Sequence, residues 1–311
     1  MRAKFFLGLL LYFCFAFDHN HAQSKDTAFY LWTKDNPIQE ELLFLDTESI
    51  SMSNFRTLQP TKLLVHGFND DGKCRWVKLT RDSFLAMEDV NVISLDWEAL
   101  AGMDYFEAAS NSRQVGFVLG DFISLLVESV GVPWENLHVI GFSLGAQTVG
   151  HAGHYLNGQL PRITGIDPAG FLFHTSPEEE RLSKEDAQFV DIIHTAGLWI
   201  GTDEQIGHVD FYPNGGKAPQ PNCENEDIGL GCSHQRGPDL FAESITSNFS
   251  FRAVRCTSWE NFQVFVRYGV GWLLIRSVCH LEIDVPTKRY SRCVITAFIN
   301  SCMEHASQSQ G

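Results

Sequence analysis

Acidic residues outnumber basic ones by 38 to 23 in this chain of 311 residues, so its formal net charge at neutral pH is −15. Such a charge disfavours polyanionic partners, nucleic acid and heparin among them, and gives no electrostatic attraction to anionic membranes. The length allows one large α/β domain or two small ones.

The chain begins with the pattern of a secretory signal peptide. Arg2 and Lys4 precede an apolar run, residues 5–17, that ends before Asp18. A membrane-spanning helix needs about 20 apolar residues, and no later segment is long and apolar enough to form one. We therefore predict a signal peptide over residues 1–22, a secreted, extracellular protein and no transmembrane anchor.

The cysteines and one glycosylation motif fit a secreted protein. Of eight cysteines, Cys14 leaves with the signal peptide and seven remain. No cysteine spacing resembles a zinc site, so disulfides are expected, with one thiol left free or paired between chains. Asn248 begins an Asn-Phe-Ser acceptor for N-glycosylation.

Strand-like and helix-like segments alternate along the body of the chain. Apolar residues recur at helical spacing over residues 109–130. Short, nearly continuous apolar runs between helices indicate a mostly parallel sheet covered by helices on both faces. We predict one α/β domain over residues 23–268. Its expected strands are residues 62–65, 90–96, 136–140, 162–166, 189–194 and 208–212.

A G-x-S-x-G motif follows the third of these strands. Gly141, Ser143 and Gly145 lie between an apolar run and a helix-like segment. Glycine on each side of the serine removes Cβ clashes in a sharp strand-to-helix turn and exposes the serine oxygen above the sheet. A glycine-rich turn without chemistry matches the same five residues, so other residues must decide between the two interpretations.

A serine nucleophile requires a histidine base and a carboxylate that fixes the tautomer of the histidine. On a sheet of this type the order along the chain is serine, acid, histidine. Asp167 follows the strand at 162–166, although an aspartate before proline also starts ordinary turns. His234 comes after all the predicted strands, in a loop next to Cys232. Most of the other histidines are interpreted as structural or surface residues.

Two backbone amides are needed to stabilise the oxyanion that forms when an ester carbonyl is attacked. The first is expected at Leu144, directly after Ser143. The second is expected at Phe68, after the strand at 62–65, with His66 and Gly67 shaping that turn.

Taken together, these motifs resemble the animal pancreatic-lipase family, particularly its secreted arthropod phospholipase A1 and lipase-like branch. The resemblance covers residues 62–258 and implies an α/β-hydrolase fold with the triad on Ser143, Asp167 and His234 and the oxyanion amides on Phe68 and Leu144. The motifs that carry it are residues 66–70, 92–97, 141–145, 165–170, 189–195, 207–216 and 232–234.

Two short loops bear on the substrate. In the family, a disulfide closes a lid over the site; here it would join Cys223 to Cys232, and only residues 224–231 lie between them. The loop between His194 and Gly207 is also shorter than in the family's triacylglycerol lipases. Both reductions favour phospholipase A1 activity on a phospholipid substrate over triacylglycerol lipase activity, although both could also be trimmed surface loops.

The resemblance implies no cofactor. Residues 177–186 align with a calcium loop of some relatives, but Ser183 replaces a carboxylate ligand, and calcium needs several oxygen ligands. We predict no metal.

The final segment, residues 269–311, does not follow the family pattern. It contains Cys279, Cys293 and Cys302 without familiar spacing, and it is interpreted as a divergent tail of uncertain structure. Two competing functions stay open: a non-catalytic lipid-binding or storage protein on the same fold, and an extracellular interaction protein. The first type usually lacks a triad member, whereas all three are present here.

Overall fold

A computed structural model describes residues 26–225, 231–247, 251–254, 278–281 and 294–295. The predicted signal peptide and Asn248 lie outside the described residues, as do residues 226–230 of the short loop between Cys223 and Cys232. The domain limits at residues 23 and 268 therefore stay predictions.

The main sheet has eight strands in the order β2-β1-β4-β3-β5-β6-β7-β8. Strand β1 is antiparallel to β2 and to β4, and all other neighbours are parallel. The strands are β1 (Ala28–Trp32), β2 (Glu41–Leu43), β3 (Thr61–Val65), β4 (Asn91–Asp96), β5 (Leu137–Phe142), β6 (Ile163–Ile166), β7 (Val190–Ile193) and β8 (Val209–Phe211).

All six predicted strands are confirmed, and they form the parallel part of the sheet. The two antiparallel strands β1 and β2 were not predicted. They lie at one edge, where β1 pairs with β4 over its whole length and β2 is only three residues long. Pairing with β4 extends the sheet through backbone hydrogen bonds, so β1 needs no distinctive side-chain pattern.

Helices cover both faces of the sheet, as the sequence predicts. One buried apolar cluster contains residues of α4 and α5, and a second on the other face contains residues of α2 and α6. The helices are α1 (Thr47–Ser51), α2 (Arg75–Met87), α3 (Glu98–Ala101), α4 (Tyr105–Ser124), α5 (Leu144–Tyr155) and α6 (Gly231–Thr246).

Helix α4 begins four residues before the predicted helix and changes form near its end. The carboxylate of Asp104 caps it by accepting from the backbone N–H groups of Phe106 and Glu107. Beyond α4 the chain continues as a π-helix over Leu125–Val130, which ends at Gly131 with φ of 86°. A left-handed glycine is the usual helix terminator.

A second, antiparallel sheet has the order β10-β9-β11. Its strands are β9 (Phe251–Val254), β10 (Val278–Leu281) and β11 (Val294–Ile295). The segment interpreted as a tail therefore contributes two short strands. Among the described residues, no helix combines the length and apolar character that crossing a bilayer requires.

A buried polar cluster lies at the amino ends of the central strands, the edge opposite to that of the motifs. His138 Nε2 donates to Thr164 Oγ1 (2.7 Å), whose hydroxyl donates to Asp191 Oδ1 (2.9 Å). Asp191 also accepts from Arg162 Nε at 2.8 Å. Burial lowers the pKa of His138 well below its ordinary value of 6.5, and the positive charges of Arg162 and Lys62 act in the same direction.

We expect this cluster to make the fold sensitive to acid. The native state keeps His138 neutral, whereas the unfolded chain binds a proton there as the pH falls through 6.5. The free energy of unfolding should therefore decrease below pH 6.5, by about 1.4 kcal/mol per pH unit for one such group. Burial also lowers the pKa of His151 to about 4. His151 should therefore add to the loss of unfolding free energy between pH 6.5 and about pH 4. Denaturant titrations at pH 7, 6 and 5 give the free energy of unfolding at each pH. This free energy should fall less steeply with decreasing pH in His138→Gln than in the wild type. An identical pH dependence in the two proteins would contradict the assignment.

Candidate active site

Ser143 lies in a strained turn between β5 and α5. Its backbone has φ of 56° and ψ of −122°, an unfavourable conformation for a residue with a Cβ. The backbone is held on both sides, since the Ser143 N–H donates to the Ile166 carbonyl (3.0 Å) and the Ser143 carbonyl accepts from the Ala169 N–H (3.1 Å). These two bonds join the turn to the end of β6 and to the residues after it, the first of which is Asp167.

The glycines of the motif are required by close backbone contacts. A Cβ on Gly145 would lie 2.1 Å from the Val65 carbonyl oxygen, and a Cβ on Gly141 would lie 2.3 Å from the Gly145 carbonyl oxygen. Gly67 is also confined, although less tightly, because its Cβ would lie 2.8 Å from Ser143 Cβ. The predicted steric role of the glycines is confirmed, and a glycine-rich turn without constraint does not explain these contacts.

Asp167 is fully buried directly after β6 and uses both carboxylate oxygens. Oδ1 accepts from the backbone N–H groups of Thr195 (2.7 Å) and Ala196 (3.0 Å), while Oδ2 accepts from His234 Nδ1 (2.6 Å). Gly201 also packs on this carboxylate, since its Cβ would lie 2.6 Å from Oδ1. The Asp167 side chain therefore binds a distant loop and a histidine, which an ordinary turn aspartate does not do.

His234 is in the first turn of helix α6, and the expectation that it lies in a loop was wrong. The helix extends over Gly231–Thr246, so it already includes the residues around the disulfide cysteine. The His234 ring packs on Phe142, the residue before Ser143, with ring centroids 4.5 Å apart. A position on a helix fixes the backbone of His234 more firmly than a loop would.

Ser143 and Asp167 thus follow the carboxyl ends of the neighbouring strands β5 and β6, and His234 contacts Asp167 and Phe142 there. Ser143 Oγ forms no hydrogen bond to His234 in this structure, and His234 Nε2 has no hydrogen-bond partner among the described residues. Serine–histidine bonds of ligand-free sites are often long and tighten only with substrate. With Nδ1 bonded to Asp167, Nε2 is the ring nitrogen of His234 that remains available to accept a proton.

A second buried histidine–aspartate pair lies nearby but has no free nitrogen. His194 Nε2 bonds to Asp210 Oδ1 (2.9 Å), and His194 Nδ1 bonds to the Thr202 carbonyl (2.7 Å). Asp210 further accepts from the N–H groups of Ile206 and Gly207, both at 3.1 Å. This pair closes the loop that follows β7.

The turn predicted to supply one oxyanion amide is held by His66. Its Nδ1 bonds to the Gly67 carbonyl (3.0 Å), and its Nε2 accepts from the Trp97 N–H (2.9 Å). Neither the Phe68 nor the Leu144 amide donates to another described residue, and Leu144 opens helix α5, where an N–H has no intrahelical acceptor. Both predicted oxyanion residues therefore flank Ser143 with unused donors.

A disulfide joins Cys223 to Cys232, with the two Cα atoms 5.6 Å apart and nine positions apart in sequence. The pairing that the family resemblance implies is thus confirmed. It fixes the beginning of α6, two residues before His234. Cys74 is a free thiol among the described residues.

An aromatic surface next to the site was not predicted. Its members, Phe68, Tyr105, Phe106 and Phe171, form what we call the aromatic rim. Ring centroids are 5.2 Å apart for Phe68–Tyr105, 5.6 Å for Tyr105–Phe171 and 5.9 Å for Phe106–Phe171. The rim runs from the oxyanion turn to solvent, where Phe106 is 63% and Phe171 is 53% exposed.

Two further exposed apolar side chains lie in the loop after β7. Leu198 is 56% and Trp199 is 68% exposed. The loop is joined to the rim because the Gly170 N–H donates to the Ile200 carbonyl at 2.8 Å. In the sequence, Phe68 and Phe171 each directly follow a glycine-containing turn, at residues 66–67 and 168–170. That position is the signal that could have indicated the aromatic rim.

Two side chains of the segment aligned with a calcium loop form local hydrogen bonds. Asp186 Oδ2 accepts from the Ser183 N–H at 2.7 Å, and Arg181 donates to the Ser176 carbonyl at 3.3 Å. Burial raises the pKa of Asp186 to about 7. Within the described residues, no three acidic, histidine or cysteine side chains converge as a metal site requires.

Comparison with known proteins places the chain in a family. The lipase family profile matches residues 15–269. Pancreatic lipase-related protein 2 of Cavia porcellus is 38% identical over 76% of this chain, and pancreatic triacylglycerol lipase of Myocastor coypus is 35% identical over 76%. Inactive pancreatic lipase-related protein 1 of Homo sapiens is 36% identical over 76%. This chain spans about half the length of these relatives, 55–56% of each. The chain belongs to the pancreatic lipase family.

Proposed function

We propose that this protein is a secreted serine hydrolase of lipid carboxylic esters, with phospholipids as its substrates and the sn-1 ester as the bond cleaved, the activity of a phospholipase A1. The observation that carries the proposal is the Asp167–His234 hydrogen bond of 2.6 Å beside the strained Ser143 turn. A relative that is named inactive matches about as well as the named lipases, so overall similarity does not decide the matter. The case for catalysis rests on these three residues.

In the proposed reaction, His234 Nε2 takes the proton of Ser143 Oγ as that oxygen attacks the ester carbonyl carbon. Asp167 holds Nδ1–H and stabilises the imidazolium. The Phe68 and Leu144 amides bind the oxyanion, and removing one such donor typically costs about 10²–10³ in rate. His234 then protonates the departing lysophospholipid, which leaves an acyl-Ser143 ester. Water, deprotonated by His234, attacks this ester; His234 then returns the proton to Ser143 Oγ as the fatty acid is released.

The aromatic rim supports a lipid as the substrate. Exposed aromatic side chains in contact with one another, beside a candidate active site, are an apolar surface that mostly marks an interaction site. A net charge of −15 makes neutral or zwitterionic lipid a better partner for this surface than anionic lipid.

The short loop between Cys223 and Cys232 supports a phospholipid over a triacylglycerol. A long amphipathic lid can open and add apolar surface that faces an oil droplet. Only eight residues separate the two cysteines in the sequence, which is too few for such a lid. A polar head group can then remain in water while the acyl ester reaches Ser143.

Fatty-acid release by the purified secreted protein tests this function. We expect release from phosphatidylcholine vesicles with a 2-acyl lysophospholipid as the second product, and little release from a triacylglycerol emulsion. The Ser143→Ala protein gives the background in both assays. Preferential hydrolysis of the emulsion would make the protein a triacylglycerol lipase instead. If a folded sample releases fatty acid from neither substrate, the result would favour a non-catalytic lipid-binding protein.

A further inference from the structure

Gln220 is a buried side chain, 1% exposed, in the connection between β8 and α6. The two hydrogens of its Nε2 are shared among three backbone carbonyls within hydrogen-bond distance, those of Thr195 (3.1 Å), Pro213 (3.0 Å) and Lys217 (3.0 Å). Its Oε1 accepts from Asn214 Nδ2 at 3.1 Å. Every polar atom of the side chain is therefore used, and all its partners belong to loops.

The backbone of Gln220 is joined to the beginning of helix α6. Its N–H donates to Ser233 Oγ (2.7 Å), and its carbonyl accepts from the Cys223 N–H (2.9 Å). Ser233 is buried and immediately precedes His234. The backbone of this one residue thus holds the helix turn that carries the proposed base.

The side chain of Gln220 holds the other half of the candidate site. Thr195, whose carbonyl accepts from Gln220, donates its own N–H to Asp167 Oδ1 at 2.7 Å. Asp167 and His234 are 67 residues apart in the chain, and their hydrogen bond is short and buried. Through its side chain Gln220 is bonded to the loop that orients Asp167, and through its backbone it is bonded to the helix that carries His234.

We infer that Gln220 is a positioning residue that sets the geometry of the Asp167–His234 hydrogen bond. The inference rests on the proposed function for its effect on rate. Displacement of a catalytic group by about 1 Å can cost roughly 100-fold in rate. Loss of the Gln220 side-chain bonds is therefore expected to slow the chemical step while leaving lipid binding intact.

The test compares Gln220→Met with Asn91→Leu, each of which replaces a buried amide by an apolar side chain of similar length. Asn91 is a matched control because its side chain also joins a loop to a strand, through Arg56 N–H (2.9 Å), the Arg56 carbonyl (2.9 Å) and Thr61 Oγ1 (3.0 Å). It lies at the amino end of β4, opposite to the candidate site. Gln220→Met should lower kcat on phosphatidylcholine about 10- to 100-fold with KM nearly unchanged. Asn91→Leu should lower the melting temperature with kcat unchanged.

A second measurement reports the geometry of the His234–Asp167 hydrogen bond independently of enzyme activity. In the proton NMR spectrum, the short hydrogen bond between His234 and Asp167 should give a far-downfield resonance in the wild type and in Asn91→Leu. That resonance should weaken or move upfield in Gln220→Met. The inference is overturned if the resonance and kcat of Gln220→Met match those of Asn91→Leu. A wild type that shows the resonance without hydrolysing lipid would instead count against the proposed function, and the resonance would still test the inference.

A milder variant covers the case in which Gln220→Met does not fold. Asn214 has φ of 52°, so Asn214→Gly removes its hydrogen bond to Gln220 Oε1 without adding backbone strain. This variant should fold and show a smaller change of kcat and resonance in the same direction. No change in either quantity would overturn the inference.

Discussion

Alanine in place of Ser143 is expected to lower kcat for ester hydrolysis on the order of 10⁶-fold, the loss that follows removal of a serine nucleophile in a triad. The variant should fold like the wild type, because alanine keeps the Cβ and the backbone bonds of residue 143 to Ile166 and Ala169 do not involve the hydroxyl. Binding to phosphatidylcholine vesicles should persist, since no part of the aromatic rim is changed. Fatty-acid release and vesicle sedimentation measure the two properties separately.

Ser94→Ala is the matched control for this substitution. Ser94 is a buried serine on strand β4, and its Oγ has no hydrogen-bond partner. Its replacement should leave kcat within a few fold of the wild type. A fluorophosphonate probe should label the wild type and Ser94→Ala at Ser143 and should not label Ser143→Ala. Hydrolysis by Ser143→Ala at more than about one hundredth of the wild-type rate would require another nucleophile and would contradict the assignment.

Residues with strong local constraints were predictable from the sequence. A Cβ at Gly141 or at Gly145 would lie closer than 2.5 Å to a backbone carbonyl oxygen, so the spacing of these glycines around Ser143 identifies the turn. The parallel strands were equally clear, because a strand buried on both faces must be apolar along its length. Asp167 follows from the same logic, since the carboxyl ends of neighbouring parallel strands meet at one edge of the sheet.

Residues that act through tertiary contacts were not predictable. Gln220 bonds to Thr195 and Ser233, 25 and 13 positions away, and nothing in the adjacent sequence indicates those partners. The helix that carries His234 was not predicted, and Gly237 and Pro238, two residues with poor helix propensity, lie inside it. The aromatic rim joins residues 68, 105, 106 and 171, which the fold alone brings together. His194 and His234 illustrate the same difficulty, because each pairs with a buried aspartate. The structure distinguishes them: both ring nitrogens of His194 are hydrogen-bonded, whereas Nε2 of His234 has no partner among the described residues.

Replacing Asp167 by asparagine should lower kcat by about 10⁴-fold through the tautomer of His234. In the wild type, Asp167 Oδ1 accepts two backbone N–H groups, and Oδ2 accepts Nδ1–H of His234. An asparagine would keep its oxygen toward the two N–H groups and turn its NH₂ toward His234. Nδ1 would then accept and Nε2 would carry the hydrogen, so no lone pair would face Ser143 to receive its proton.

Asp210→Asn separates this effect from general damage to a buried carboxylate. Asp210 is also buried and also accepts from one histidine and two backbone N–H groups. Both substitutions should therefore lower the melting temperature, because each replaces charged acceptors by a neutral amide. Only Asp167→Asn should lose activity by about 10⁴-fold. If kcat of Asp167→Asn stays within about tenfold of the wild type, or if the two variants lose activity equally, Asp167 does not orient the base. A normal rate of fluorophosphonate labelling in Asp167→Asn would lead to the same conclusion, because labelling requires the same proton transfer from Ser143 to His234.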